Sequence, residues 1–235
     1  MRPIPDGRRD GEKFDDAPAV LAWVLRRLDG RRKSVRVSVP DKEGTDRVIA
    51  LFALLRAASS HAKAILAATR RGVAEAGIAN LRAMLELWAD FNLIFGDRTG
   101  SAQRLMYVAG GLALLAREPN PDTEDELARR FPAEYPVVKK RLSRNAFGHW
   151  SGKGRKAVVV QYCGAAFGRA YELLSWDVHP VLPGVLDVEF LDGDAGHFQM
   201  RHRLPQAEAA RDNCILAAHI VRAMWNALAS EFPGA

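Results

Sequence analysis

The chain has 235 residues, of which 48% are hydrophobic and 26% charged, and its formal net charge is +6. This composition is ordinary for a globular protein, and the length is sufficient to bury a hydrophobic core. No window offers the ~18 uncharged apolar residues that a membrane span requires, and residues 1–15 carry no signal peptide. We therefore expect a cytoplasmic protein with no membrane contact, with a flexible N-terminal segment over 1–15 and a single α-helical domain over 16–235.

Hydrophobic residues recur at helical spacing along most of the chain. The predicted helices are, in chain order, Ala17–Leu28, Asp46–Thr69, Ala74–Phe95, Ala102–Arg117, one that starts at Pro121, Val137–Ala146, Ala157–Val178 and Gln206–Phe232. We expect Asp46 to cap the second of these, and Gly110 with Gly111 to break the fourth. Valine alternates with polar residues in Ser34–Pro40, which predicts an extended segment.

A short β-structure is predicted between the last two helices. Val188–Leu191 and His197–Arg201 are alternating runs on either side of Asp192-Gly193-Asp194, a sequence typical of a β-hairpin. Strands do not alternate with helices often enough for a doubly wound sheet. The predicted fold is therefore mainly α, a helical bundle with a small β-hairpin excursion.

The basic residues are concentrated in two segments. Residues 139–156 contain seven basic residues and no acid, namely Lys139, Lys140, Arg141, Arg144, Lys153, Arg155 and Lys156. A second run comprises Arg26, Arg27, Arg31, Arg32, Lys33 and Arg36. Such patches attract polyanions, and the alternative interpretation is a solvated face on a basic protein.

A first candidate site lies on the third predicted helix. Arg82 and Glu86 are four residues apart, so they share one face of the helix, and the polar stripe extends to Asp90. The pair is either an exposed ion pair or, if this stripe faces inward, a fixed cation with its partner beside it.

Arg144 and His149 form the second candidate, and we predict that they are catalytic. Arginine binds phosphate through several donors, and histidine exchanges a proton near neutral pH. The pattern in Arg144-Asn145-Ala146-Phe147-Gly148-His149 resembles the motif of the HEPN superfamily. That resemblance implies a helical bundle, often a ribonuclease that acts as a dimer. The alternative is a histidine that anchors a loop, because Gly148 indicates that the helix ends before it.

The third and fourth candidates follow directly in the chain. The segment from His149 to Lys156 combines Trp150 with glycines and the cations Lys153 and Arg155, a combination suited to single-stranded nucleic acid. The alternative is a turn whose tryptophan packs into the core. Tyr171, Ser175 and His179 recur every four residues along one helical ridge, which predicts core hydrogen bonding or a serine–histidine hydrolase.

Three of these segments together resemble a bacterial family of unknown function, the one numbered 5677. They are Leu81 to Glu86, the turn Trp150-Ser151-Gly152, and the run from Tyr171 to His179. The resemblance extends over roughly residues 45–225 and implies an α-helical domain with no established activity. It groups Arg82, Glu86, Trp150, Tyr171, Ser175 and His179 as one internal polar cluster, whose members satisfy one another by hydrogen bonding.

No histidines show the spacing of metal ligands, and Cys163 and Cys214 are predicted to be buried thiols. We predict no metal and no cofactor. The first functional hypothesis is a HEPN-like RNA-binding protein or metal-independent ribonuclease, dimeric and related to toxins or phage defence. The second is a non-enzymatic helical module that binds a protein partner or a small ligand.

Overall fold

The computed structural model describes residues 16–32, 42–144, 149–178, 188–189, 199–200 and 206–232. Helix accounts for 85% of the described residues, so the predicted mainly helical fold is confirmed. The helices of this part are α1 (Ala17–Arg32), α2 (Lys42–Arg70), α3 (Ile78–Gly96), α4 (Ser101–Leu115), α5 (Pro121–Arg130), α6 (Glu134–Arg144), α7 (Arg155–Cys163), α8 (Ala165–Val178) and α9 (Gln206–Glu231). The predicted N-terminal segment 1–15 and the extended segment 34–40 lie outside the described residues.

Four of the helices, α1, α2, α3 and α9, pack around one hydrophobic core. α2 lies against α3 and α9, and α1 lies against α9. The largest fully buried side chains are Leu21, Leu28, Leu51, Leu55, Ile65, Met84, Leu85, Phe91, Ile94, Ile220 and Trp225. Within each helix these residues return to one face, as the hydrophobic periodicity predicts.

α7 and α8 pack on another side of α3. The prediction for this part of the chain was wrong in one respect. The helix predicted over 157–178 is two helices that meet at Gly164, whose φ is +101°. This backbone conformation favours glycine because it has no Cβ. The two helices pack closely, since a Cβ atom at Gly168 would lie 2.2 Å from Val160 Cγ2.

Two further helix predictions were wrong. α2 begins at Lys42, so Asp46 lies inside the helix and does not cap its start. α4 continues through Gly110 and Gly111 without a break. A Cβ atom at Gly111 would lie 2.9 Å from Leu127 Cδ2, so this glycine admits the side chain from α5.

The predicted β-hairpin falls mostly outside the described residues. Val188–Glu189 and Gln199–Met200 pair as short antiparallel strands, with Val188 opposite Met200. The residues that connect them are not described, so the hairpin stays a prediction.

One helix of the described chain, over Gly44–Arg70, is long and apolar enough to cross a membrane by length and composition. Half of its apolar window is buried inside the bundle, where α2 packs on α1, α3 and α9. The absence of a membrane contact stays a prediction.

Arg47 on α2 joins the C-terminal ends of α3 and α9. Its Nε and Nη2 atoms donate to the carbonyl oxygens of Ile94 and Phe95, at 3.2 and 2.5 Å. Its Nη1 atom lies 2.6 Å from Glu231 Oε1, which Arg98 also contacts at 2.6 Å. Burial opposes ionisation of Glu231, but the hydrogen bonds and charges of the two arginines outweigh it and lower its pKa.

We expect this ion pair to make stability fall in acid. The pKa of Glu231 is lower in the folded chain than its ordinary value of 4.5. Its contribution is therefore present above that value and is lost as the pH falls through the folded pKa. Urea unfolding should show Glu231→Gln to be less stable than the wild type at neutral pH, and the difference should shrink in acid. A difference that stays constant down to about pH 3 would contradict this assignment.

Candidate functional site

A tight turn connects the region after α6 to the start of α7 and carries His149. The His149 N–H donates to the Lys153 carbonyl oxygen at 3.2 Å, and the Gly152 N–H donates to the His149 carbonyl oxygen at 2.9 Å. Gly152 has φ of +87°, a conformation that glycine adopts without strain. His149 is thus in a turn and not on the helix that bears Arg144, which ends at that residue.

The imidazole of His149 points into the protein, with its side chain only 4% exposed. Its Nε2 atom lies 2.5 Å from Asp90 Oδ1 on α3. Its Nδ1 atom lies 2.7 Å from Ser151 Oγ and accepts the Ser151 backbone N–H at 3.1 Å. An N–H can only donate, so Nδ1 is the unprotonated nitrogen and Nε2 donates its proton to Asp90.

A basic cleft of about 230 Å³ lies beside this histidine. Its lining residues are Arg141, Leu142, Arg144, His149, Gly152, Lys153 and Gly154. The two residues predicted to be catalytic, Arg144 and His149, therefore reach the same cleft. Among the described residues that line it there are three permanent cations and no carboxylate, so the cleft attracts anions.

Arg141 forms one wall of the basic cleft; it was predicted as part of the basic segment 139–156 and not as a site residue. Its Nη1 atom donates to the Trp150 carbonyl oxygen at 3.2 Å. Its guanidinium lies against Gly152, where an added Cβ atom would be 3.0 Å from Arg141 Nε. Arg144 and Lys153 are both exposed, and Lys153 Nζ donates to Gln161 Oε1.

The net positive charge around residues 139–156 is smaller in the folded chain than the count of basic residues indicates, because some of them form ion pairs. Lys139 pairs with Glu124, Arg155 with Glu86, and Lys156 with Glu172. These three contacts neutralise part of the patch. The cations that line the cleft are therefore the part of the segment best placed to bind an anion.

The structure brings four other predicted site residues together at α3, α7 and α8. Tyr171 OH donates to Glu86 Oε1 at 2.8 Å and accepts from Arg82 Nη2 at 3.2 Å. Arg155 pairs with the second oxygen of Glu86, and Arg82 Cζ lies 5.2 Å from the centre of the Tyr171 ring. Burial raises the pKa of Tyr171; the Glu86 carboxylate adds to this shift, and Arg82 opposes it.

The remaining predicted site residues do not join this polar cluster in the described part of the chain. Ser175 Oγ donates to the Tyr171 carbonyl oxygen of its own helix at 2.7 Å, and His179 lies outside the described residues. Trp150 packs against the hydrophobic core, with its Nε1 atom buried and without a hydrogen-bond partner. Its indole is not among the groups that line the basic cleft.

The sequence pattern placed Asp90 on the polar stripe of α3 but indicated no role for it. It continues the stripe of Arg82 and Glu86 at the same four-residue interval. A carboxylate at a helical interval on an otherwise apolar helix is a signal for a buried partner. Nothing in the pattern indicates that the partner is His149, 59 residues later in the chain.

The described residues contain no group of three or more His, Cys, Asp and Glu that could hold a metal ion. Cys163 and Cys214 are unbridged thiols. Burial raises the pKa of Cys163 to about 12 and also raises that of Cys214. Both thiols therefore remain protonated at neutral pH and are poor nucleophiles.

Comparison of the chain with protein-family models, curated proteins and solved structures found no match.

Proposed function

We propose that this protein binds RNA through the basic cleft between the end of α6 and the turn at 149–154. The observation that carries the proposal is the lining of one cleft by Arg141, Arg144 and Lys153, with no acidic residue among the described residues that line it. Guanidinium groups bind phosphate oxygens through several N–H donors, and lysine adds a flexible positive charge. A cleft of about 230 Å³ is open enough to admit a phosphate with part of its sugar.

Recognition of this kind depends on the phosphate backbone. The described residues that line the cleft include no Phe, Tyr or Trp, and its cations would contact the phosphate groups of the RNA. Backbone contacts carry no direct sequence information. We therefore expect affinity that varies little with RNA sequence and falls steeply with salt.

A metal-independent ribonuclease extends the same proposal. Arg144 would stabilise the charge that develops on the phosphate, and His149 would accept the proton of the ribose hydroxyl. Nε2 of His149 donates to Asp90, and Nδ1 accepts both the Ser151 hydroxyl and the Ser151 backbone N–H, so both contacts at Nδ1 must break before it can accept a proton. The geometry thus favours binding over cleavage. A dimeric protein related to toxins or phage defence stays a prediction from the HEPN resemblance.

A non-enzymatic helical module with a protein partner or a small ligand is the second candidate. It is favoured by the cluster of Arg82, Glu86, Arg155 and Tyr171. The polar groups of these residues bond to one another across α3, α7 and α8. A structural role in joining the three helices is sufficient to explain such a cluster.

Removal of two cleft cations should test RNA binding. The double variant Arg144→Ala and Lys153→Ala is expected to bind a short fluorescent RNA roughly tenfold more weakly at low salt. The slope of log affinity against log salt should fall by about one for each cation removed. The measurement is fluorescence anisotropy over a series of salt concentrations.

The matched control for this experiment removes the same charge elsewhere in the basic segment. Lys139→Ala with Lys156→Ala deletes two exposed lysines that pair with Glu124 and Glu172. This control should bind RNA nearly as well as the wild type. Equal loss in both double variants, or no RNA binding by the wild type, would contradict the proposal. Gel analysis of the same samples tests for cleavage, and any cleavage by the wild type should be absent from the double variant Arg144→Ala with Lys153→Ala.

A further inference from the structure

We propose that Ser151, His149 and Asp90 form a nucleophile–base–carboxylate triad that hydrolyses esters bearing an anionic group. This activity is distinct from RNA binding and does not depend on it, although both would use the basic cleft. Its components are three side chains in one hydrogen-bonded chain. Of the three, only His149 is among the described residues that line the basic cleft, and Ser151 is partly exposed next to Gly152 of that lining.

The distances are those of an assembled triad. Ser151 Oγ lies 2.7 Å from His149 Nδ1, and His149 Nε2 lies 2.5 Å from Asp90 Oδ1. A nucleophile and its base within hydrogen-bonding distance, with the base oriented by a third group, is the arrangement that activates a serine. Here the serine contacts Nδ1 and the carboxylate contacts Nε2.

Burial supports the role of each group. The side chains of His149 and Asp90 are 4% and 16% exposed, so Asp90 acts on the imidazole at reduced solvent screening. Ser151 itself is partly exposed and lies in the chain between His149 and Gly152, both of which line the basic cleft. Asp90 is a positioning residue, because it acts through His149.

The cleft accounts for the class of substrate. Arg144 and Lys153 are exposed cations that would bind an anionic group of the ester. The Arg141 guanidinium lies against Gly152, next to Ser151 in the chain. Its Nη1 atom donates to the Trp150 carbonyl oxygen, so its positive charge lies at the turn that carries Ser151.

This triad differs from the serine hydrolase predicted at Ser175 and His179, which stays a prediction because His179 lies outside the described residues. The Ser175 hydroxyl donates to the carbonyl oxygen of Tyr171, one turn earlier on α8. This is the local bond that serine commonly forms inside a helix. The Ser151 hydroxyl instead contacts an imidazole nitrogen that already accepts a backbone N–H and so carries no proton.

The reaction balances with water as its only other reactant. Ser151 Oγ forms a bond to the carbonyl carbon of the ester while its proton passes to His149 Nδ1, and the hydrogen bond from the Ser151 backbone N–H to Nδ1 breaks. The bond to the leaving oxygen breaks, and the alcohol leaves with that proton, which leaves an acyl group on Ser151. Water then gives a proton to His149 Nδ1, its oxygen attacks the acyl carbon, and Ser151 Oγ departs and regains the proton. The products are a carboxylic acid and an alcohol.

A fluorophosphonate probe tests the proposal on the full-length protein. Mass spectrometry of the labelled wild type should place one adduct on Ser151, and Ser151→Ala should lose it. The control Ser60→Ala, which changes an exposed serine on α2, should label as the wild type does. Asp90→Asn should label at least about tenfold more slowly and with an altered pH profile, which a purely structural role would not produce.

Hydrolysis of p-nitrophenyl hemisuccinate, an ester that carries a carboxylate, provides a second readout, and it should disappear in Ser151→Ala. Circular dichroism establishes that each variant is folded. The proposal is overturned if the folded wild type is not labelled, if the adduct lies on another residue, or if Ser151→Ala keeps its esterase activity. These results are separate from RNA affinity, which Ser151→Ala is expected to leave intact.

Discussion

In an Asp90→Ala variant, the midpoint of thermal unfolding is expected to fall by several degrees. His149 Nε2 is buried and donates to Asp90 Oδ1 at 2.5 Å. Alanine removes this acceptor, and an unsatisfied buried donor costs about 1–3 kcal/mol. For a chain of this size each kcal/mol corresponds to about 2–4 °C in the midpoint. Calorimetry or circular dichroism measures the change.

Asp90→Asn is the matched variant for this experiment. Its side-chain oxygen accepts the same imidazole proton, so it should lose much less stability than Asp90→Ala. Hydrogen exchange over residues 149–154 should also quicken in Asp90→Ala, because the turn loses its attachment to α3. Equal stability of Asp90→Ala and the wild type would show that the contact contributes nothing to the fold.

Gly168→Ala is the second substitution from which we expect a large effect. Alanine normally favours a helix over glycine by up to about 1 kcal/mol, so propensity alone predicts stabilisation. The added Cβ atom would instead lie 2.2 Å from Val160 Cγ2 and 3.5 Å from the Val160 backbone. Overpacking of this kind costs about 1–3 kcal/mol, and we expect a net loss in urea unfolding.

The double variant Gly168→Ala with Val160→Ala separates the two effects. Val160→Ala removes the methyl group that the new Cβ atom would meet, so the double variant should recover most of the lost stability. The interaction term of the cycle should then be about 1 kcal/mol or more. Additive effects of the two substitutions would contradict a direct contact between α7 and α8 at this point.

Local patterns predicted much of the fold because the helical repeat is a property of the chain itself. Leu51 and Leu55 lie on one face of α2 wherever that helix packs. The start of α5 was also predicted correctly from Pro121, which opens the helix. The structure adds that Asn120 caps it by accepting the Thr123 N–H at 3.2 Å. The break at Gly164 was missed because the apolar pattern continues across it.

The sequence predicted only part of the candidate site, because local patterns do not show contacts between residues that are distant in the chain. Arg82 and Glu86 were recognised from their spacing, and only the resemblance to family 5677 grouped them with Tyr171, since their contact with it joins residues more than 80 positions apart. The charge of residues 139–156 was visible as a total. Which of these cations are paired depends on Glu86, Glu124 and Glu172, and these acids reach them only in the folded chain.

His149 is a residue about which the sequence and the tertiary structure give different information. The sequence by itself determined a helical protein, a basic segment and a histidine next to a glycine-bearing turn. Only the tertiary structure decided that the imidazole points inward to Asp90 and holds Ser151 while it borders the basic cleft. Helical periodicity is set by neighbours three and four residues away. The environment of a side chain is set by the packing of helices that are distant in the chain.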